Sequence, residues 1–167
     1  DKGTITLQNR KSAVSKITFS PKTSAIASYS IENNTVTVKG KKAGKFTLVV
    51  TDPETANYKA SKPKSILITV SKPTKPAIQN PVTSSRAVTA KWRRVANATG
   101  YYVQIATNTG FTKGVKNKVI TKNTTITNKF TGLKKGTTYY VRVYSYVGSY
   151  TAANRSAVSA TRRITCK

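Results

Sequence analysis

The sequence predicts an all-β protein built from two tandem domains. Short segments in which apolar and polar residues alternate at period two recur along all 167 residues, and turn-forming clusters separate them. Hydrophobic residues make up 37% of the chain, and the frequent residue types Thr, Val, Ser and Ile favour strands. A stretch with prolines at positions 73 and 76 interrupts the pattern near the middle. Each half is long enough to bury a core of its own.

The first half is predicted to form a series of short strands. They span residues 4–7, 14–19, 29–31, 35–38, 46–50 and 65–70. Turn clusters rich in Asn, Gly and Lys, and a loop at 51–58, separate these strands. Side chains alternate between the two faces of a strand, so Phe46, Leu48 and Val50 are expected to point toward the core.

The stretch from Thr35 to Val50 also has a recognisable sequence pattern. It consists of a Val-x-Val strand, a Lys-Ala-Gly turn at 42–44 and a Phe-Thr-Leu-Val-Val strand. This pattern resembles bacterial immunoglobulin-like repeats of surface proteins, in which an Ala-Asn-Tyr run like that at 56–58 is also common. The resemblance covers roughly residues 3–71 and implies an antiparallel, immunoglobulin-like β-sandwich.

Pro73 and Pro76 indicate the domain boundary. Proline restricts φ and lacks an N–H donor, so a regular strand cannot run through this stretch. We therefore expect domains at 1–72 and 77–167, joined by a short, stiff linker at 73–76.

Parity assigns the inner face of the long strands in the second half. The expected inner residues are Val88, Ala90 and Trp92 on one strand, and Tyr101, Val103 and Ile105 on the next. Tyr102 and Gln104 are then expected on the outer face. Further strands are expected from Ile126 to Phe130 and at 157–164, whereas 149–156 shows no clear pattern.

Residues 133–144 read as a tight turn followed by a long strand. The turn comes from a Lys-Lys-Gly run, and β-branched and aromatic residues then alternate with polar ones. The strand should present Tyr139, Val141 and Val143 on one face, and Tyr140, Arg142 and Tyr144 on the other.

The turn and strand at 133–143 resemble the E–F corner of fibronectin type III domains. In that family a Leu ends one strand, and the Tyr that opens the next bonds back to the backbone through its hydroxyl group. Leu133 and Tyr139 occupy those positions here, and Lys135 stands where a proline is usual. Trp92 and a Gly-Tyr-x-Val motif at 100–103 extend the resemblance to roughly residues 75–165. It implies a second antiparallel β-sandwich, of the kind found in exported proteins of anaerobic Firmicutes.

Charge is the dominant feature of the composition. Thirty Lys and Arg residues face four Asp and Glu residues, for a formal net charge of +26. From Lys75 onward there are 17 basic residues and no carboxylate side chain. Such a surface attracts polyanions, including nucleic acid, acidic wall polymer, sulfated glycan and anionic membrane. The alternative is a charge that serves solubility alone.

The residue inventory argues against an enzyme or a metal site. The chain has no His, so the usual catalytic base and metal ligand is missing. Asp52 and Glu54 fit an ordinary polar turn, and no cofactor is implied. Cys166 is the only cysteine, which excludes a disulfide within the chain and leaves a chance thiol or pairing with a second chain. No segment is long and apolar enough to cross a membrane as a helix.

Two candidate binding sets remain. If the strands near 101 and 141 are neighbours in one sheet, as the type III resemblance implies, five outer residues form an exposed row. These are Tyr102, Gln104, Tyr140, Arg142 and Tyr144. Tyr and Arg are enriched in binding surfaces, although such cross-strand pairs can also serve only to stabilise the sheet. A weaker, polyanion-binding set comprises Lys113, Lys116, Lys118, Lys122, Arg162 and Arg163.

These features predict a non-catalytic module, monomeric and either extracellular or associated with a cell wall. Its expected partners are an acidic cell-wall polymer, a glycan or a host surface protein, with nucleic acid bound only non-specifically at low salt. One alternative is a spacer that separates other domains of a surface protein, and another is an accessory module of a secreted enzyme.

Overall fold

The strands predicted by the alternation pattern are present in the computed structural model, which describes residues 2–6, 18–21, 24–32, 35–51, 54, 56 and 59–167. These residues form antiparallel sheets, turns and irregular segments, with no helix among them, and the predicted all-β fold is confirmed. None of the described segments could therefore cross a bilayer as a helix. The chain divides into two units, Asp1–Ser71 and Lys72–Lys167.

The described residues of the first unit form two three-stranded sheets. The first sheet has the order β1-β4-β3 and the second β2-β5-β6. The strands are β1 (Lys2–Thr6), β2 (Thr18–Ser20), β3 (Ala27–Glu32), β4 (Thr35–Gly40), β5 (Gly44–Thr51) and β6 (Lys64–Val70). Residue 7 of the first predicted strand, residues 14–17 of the second, the turn at 33–34 and much of the 51–58 loop lie outside the described residues.

Both sheets of the first unit contribute to one core. Its buried residues are Ala27, Val36 and Val38 from one sheet, and Leu48 and Val50 from the other. Phe46 is partly buried and packs against them, so the expected inner face of β5 is confirmed. The likeness of this unit to bacterial immunoglobulin-like repeats stays a prediction.

The second unit contains a three-stranded and a four-stranded antiparallel sheet. Their orders are β11-β8-β7 and β10-β9-β12-β13. The strands are β7 (Val82–Ser84), β8 (Ala87–Lys91), β9 (Gly100–Ala106), β10 (Lys116–Ile120), β11 (Thr127–Phe130), β12 (Thr138–Tyr146) and β13 (Arg162–Thr165). The Ser145 hydroxyl donates to the Thr74 carbonyl at 2.6 Å, which ties the stretch before β7 to the end of β12.

The core of the second unit lies between these two sheets. The inner residues expected on β8, β9 and β12 are all buried, and Trp92 is 1% exposed. The ring of Tyr101 packs edge-on against Trp92, with centroids 5.3 Å apart. Alternation at period two therefore identifies the part of this core that the long strands contribute, because each strand presents one face to the facing sheet.

The turn before β12 has the predicted corner geometry. The Lys134 amide donates to the Tyr139 hydroxyl at 3.0 Å. Gly136 has a φ of 73°, a left-handed conformation that glycine adopts without steric cost. Leu133 is 2% exposed and Tyr139 is 6% exposed, so the turn is anchored in the core at both ends.

Replacing Tyr139 with phenylalanine is expected to lower the free energy of unfolding by about 1 kcal/mol, since one hydrogen bond across the corner is lost. Urea denaturation followed by the fluorescence of Trp92, the only tryptophan, reports on this unit. Tyr140→Phe is the matched control, because no described residue shares a side-chain hydrogen bond with the Tyr140 hydroxyl. Equal effects of the two substitutions would contradict the assigned role of Tyr139.

The last strand differs from its predicted extent of 157–164. Regular pairing with β12 is confined to Arg162–Thr165. Before that, the amides of Val143 and Ser145 donate to the hydroxyl groups of Ser159 and Ser156, at 2.9 and 3.1 Å. Side-chain oxygens thus replace backbone carbonyls as acceptors, which interrupts the regular ladder.

Cys166 is 2% exposed and belongs to the core of the second unit. Its amide donates to the Thr137 carbonyl at 2.9 Å, and its carbonyl accepts from Gly136 at 2.8 Å. The thiol therefore lies in packed surroundings, and a disulfide with a second chain would require this segment to open.

Candidate functional site

The pairing of β9 with β12 brings the five residues of the predicted binding row, three tyrosines with Gln104 and Arg142, to one face of the four-stranded sheet. Arg142 pairs with Gln104, Tyr144 with Tyr102, and Tyr140 with Ala106. Directly opposed residues of antiparallel strands lie on the same face, opposite to the core residues that alternate with them. The juxtaposition expected from parity is therefore present.

Hydrogen bonds connect three of these side chains in a row. Arg142 donates from Nε to Gln104 Oε1 at 2.9 Å, and Gln104 donates from Nε2 to the Tyr102 hydroxyl at 3.2 Å. The rings of Tyr102 and Tyr144 are tilted with respect to each other, with centroids 6.2 Å apart. The amide of Gln104 thus orients the guanidinium group and the phenol on either side of it.

The loop between β9 and β10 covers one end of this row. Phe111 has a φ of 53° and is 7% exposed. Its ring lies against the Arg142 guanidinium group, with Cζ 3.8 Å from the ring centroid. Asn108 stabilises the loop by accepting hydrogen bonds from the amides of Thr112 and Lys113 through Oδ1.

The loop after β12 covers the other end. The Tyr150 ring stacks on Tyr102 with centroids 4.1 Å apart. Arg155 lies over the Tyr144 ring, with Cζ 4.5 Å from the centroid, and donates from Nη1 to the Tyr150 hydroxyl at 3.4 Å. Phe111, Tyr150 and Arg155 were missed from the sequence, because none belongs to an alternating strand.

Two members of the row are not exposed as expected. Gln104 is 9% exposed and Tyr144 is 7% exposed, because the two loops fold over this face of the sheet. Tyr102, Tyr140 and Arg142 are partly exposed. Much of the outer face is therefore a second packed layer, with accessible surface at Tyr102, Tyr140 and Arg142.

Burial shifts the pKa of two phenols in this layer. It raises the pKa of Tyr146 and of Tyr150 above the ordinary value for tyrosine, although the hydrogen bond from Arg155 acts in the opposite direction on Tyr150. The charge of the layer near neutral pH therefore comes from Arg142 and Arg155.

The predicted polyanion-binding set does not form one patch. Lys116 lies on β10 and Arg162 and Arg163 on β13, and these strands are opposite edges of the sheet. Lys116 donates from Nζ to the Thr131 carbonyl at 2.9 Å, and Arg162 reaches the Ile78 carbonyl at 3.5 Å. Four members have exposed side chains that form no hydrogen bond to a backbone carbonyl among the described residues: Lys113, Lys118, Lys122 and Arg163.

The residues that the structure describes contain no group of three His, Cys, Asp or Glu side chains that could hold a metal ion. From Lys75 onward the chain has neither a histidine nor a carboxylate side chain. What the outer face offers chemically is therefore aromatic stacking and hydrogen-bond donation from guanidinium groups.

Comparison with known families identifies this fold. The model of the fibronectin type III domain matches residues 71–162, which is 92 of the 167 residues. The chain belongs to the fibronectin type III family. The type III domain thus corresponds to the second unit, and Tyr139 is its corner tyrosine.

Three solved structures are similar to the chain. For each, the first percentage of coverage refers to this chain and the second to the other protein. A Fn3-like protein from Clostridium thermocellum is 20% identical, with a TM-score of 0.46 and coverage of 58% and 96%. A myokine structure is 15% identical, with a TM-score of 0.46 and coverage of 57% and 100%. The twitchin kinase region from C. elegans is 15% identical, with a TM-score of 0.43 and coverage of 56% and 16%. A comparison with curated proteins finds no match.

Family membership supports a general statement about function. Type III domains are typically non-catalytic modules or spacers in larger proteins, and they are often extracellular. Because unrelated functions occur on this fold, a ligand has to be argued from the surface of this domain.

Proposed function

We propose that the chain is a non-catalytic surface module that binds an acidic polymer. The observation that carries this proposal is that the charged side chains of the type III domain are all basic and that most of them are exposed. Of the 17 basic residues from Lys75 onward, 14 are exposed, all except Arg142, Arg155 and Arg162. No carboxylate side chain in this part of the chain can neutralise them.

The charge favours a polyanion over a neutral ligand. Like charges that lack partners repel one another in the folded domain, and a bound polyanion relieves that repulsion while releasing counterions. An acidic cell-wall polymer or an acidic glycan has this chemistry, and an acidic patch of a host surface protein is a further partner of the same kind. Nucleic acid would bind non-specifically at low salt for the same reason.

The proposed location is extracellular or associated with a cell wall, with the chain as a monomer. The typical occurrence of type III domains outside the cell supports this location. The sequence resemblance to modules of exported surface proteins points the same way.

A spacer is the second candidate. It is favoured by the loops that cover the outer face of the four-stranded sheet, where Tyr144 is 7% exposed. If the aromatic residues on this face serve only to stabilise the domain, they leave little surface for a ligand. The basic charge would then contribute to solubility.

Co-sedimentation separates the two candidates. Purified peptidoglycan sacculi with and without teichoic acid, and mucin beads, are mixed with the chain across a salt series. We expect binding to at least one anionic preparation to persist at about 0.15 M salt, where weak contacts between exposed charges are largely screened. Removing the teichoic acid or the acidic sugars from that preparation should abolish it.

If the chain binds every anionic preparation at low salt and loses all of this binding to the same extent as the salt concentration rises, the proposal is contradicted and the spacer is supported. Neutral dextran beads control for adsorption to a polysaccharide surface. The result requires only the intact chain, so no variant has to be assumed to fold.

A further inference from the structure

Aromatic rings and guanidinium groups alternate along the outer face of the type III domain. The order is Phe111, Arg142, Tyr144 and Arg155. Arg142 Cζ lies 3.8 Å from the Phe111 centroid and 5.5 Å from that of Tyr144, and Arg155 Cζ lies 4.5 Å from the Tyr144 centroid. Arg142 precedes Tyr144 by two residues on β12, while Arg155 forms a bridge with Tyr146 beyond it. Both cations thus lie next to the Tyr144 ring.

Because the flat faces of both guanidinium groups lie against aromatic rings, the N–H donors at their edges are the atoms able to bind a ligand. Arginine carries five N–H donors in one plane. Arg142 uses Nε for Gln104, and Arg155 uses Nη1 for the Tyr150 hydroxyl. In the described part of the chain, no residue accepts a hydrogen bond from either Nη atom of Arg142 or from Nη2 of Arg155.

Both cations are also held in place before any ligand arrives. Each is partly buried and lies against an aromatic ring, so little side-chain freedom remains to be lost on binding. The surrounding domain has no carboxylate side chain that could occupy them. A rigid donor edge without an acceptor is suited to an oxyanion, to which guanidinium groups bind through two parallel hydrogen bonds.

We propose that Arg142 and Arg155 form a paired oxyanion site for carboxylate, sulfate or phosphate groups on one linear acidic polymer. The two Cζ atoms are at most about 10 Å apart, since they lie 5.5 and 4.5 Å from the Tyr144 centroid. This span allows two charged groups of the same polymer to bind together. The site rests on the proposed function and specifies where, and through which chemistry, the polymer is held.

Substitution of arginine by lysine tests the site, because the charge is kept and the planar donor fork is lost. The probes are polygalacturonate for carboxylate, dextran sulfate for sulfate and polyphosphate for phosphate, with neutral dextran as a blank. Dissociation constants are measured at about 0.15 M salt, where weak surface attraction is largely screened. Arg142→Lys and Arg155→Lys are each expected to weaken binding of the preferred polymer about tenfold.

Arg93→Lys is the matched control. Arg93 is an exposed arginine of the same domain, and within the described residues its side chain has no hydrogen-bond or ring partner. We expect this variant to bind like the unmodified chain, because its net charge is unchanged. The preferred polymer among the three identifies the oxyanion. Thermal unfolding, monitored by the fluorescence of Trp92, shows whether each variant is folded. If Arg142→Lys does not fold, Arg155→Lys alone decides the test.

The outcomes distinguish the two proposals. If the unmodified chain binds an acidic polymer and the folded Arg142 and Arg155 variants bind like Arg93→Lys, the paired site is wrong and the proposed function stands. If the unmodified chain binds none of the three polymers and none of the wall or mucin preparations, the proposed function fails as well.

Discussion

Replacing Gly100 with alanine is expected to destabilise the type III domain by about 3 kcal/mol, because the added methyl group overlaps a backbone carbonyl oxygen and the Tyr146 side chain in a packed region. A Cβ atom at Gly100 would overlap the Ile120 carbonyl oxygen and would lie 2.7 Å from the Tyr146 hydroxyl oxygen. Those two atoms form a hydrogen bond of 3.0 Å directly over the glycine. Accommodating the methyl group means moving β9 from β10 or breaking this bond.

Urea denaturation followed by Trp92 fluorescence measures the loss. Gly110→Ala is the control, since the three nearest neighbours of an added Cβ there are side-chain atoms, the closest being Asn108 Nδ2 at 3.3 Å. We expect that substitution to change the free energy of unfolding by less than about 1 kcal/mol. Equal effects at the two glycines would show that the close approach of Tyr146 does not constrain position 100.

Tyr101→Phe is expected to cost about 2 kcal/mol, because it removes two hydrogen bonds from the core. The Tyr101 hydroxyl accepts from the Val95 amide at 2.9 Å and donates to the Asn123 carbonyl at 3.1 Å. Tyr101 is fully buried, so the Val95 amide would lose its acceptor without water to replace it. The same denaturation experiment reports this change, with Trp92 in contact with the mutated ring.

The adjacent tyrosine provides a matched comparison. Tyr102 points to the outer face, is partly exposed, and accepts one hydrogen bond from Gln104. Tyr102→Phe is therefore expected to cost less than about 1 kcal/mol. A larger loss at Tyr102 than at Tyr101 would contradict the assignment of the inner and outer faces of β9.

The sequence predicted the inner faces of the sheets well, because strand parity is a local property. Trp92, Tyr101 and Val141 were assigned to the core from alternation alone, and all three are buried. The corner at Tyr139 could be predicted for a related reason, since its turn and tyrosine are close together in the sequence. Pairing of β9 with β12 followed from the type III resemblance.

The outer face could be predicted only in part. Parity placed Gln104 and Tyr144 on that face, but the structure buries them beneath loops. The loop after β12 gave no pattern in the sequence, and its Tyr150 reaches Tyr102 through contacts distant along the chain. The conformation of Phe111, with a φ of 53°, is likewise set by its surroundings.

The sequence by itself determined the all-β fold, the core of each sheet and the basic charge of the type III domain. These follow from residue type and from the two-residue period of a strand. The tertiary structure decided which side chains of the outer face remain accessible, and it brought both Arg142 and Arg155 next to the Tyr144 ring. Loops determine both outcomes, and their paths depend on contacts between residues that no local pattern relates.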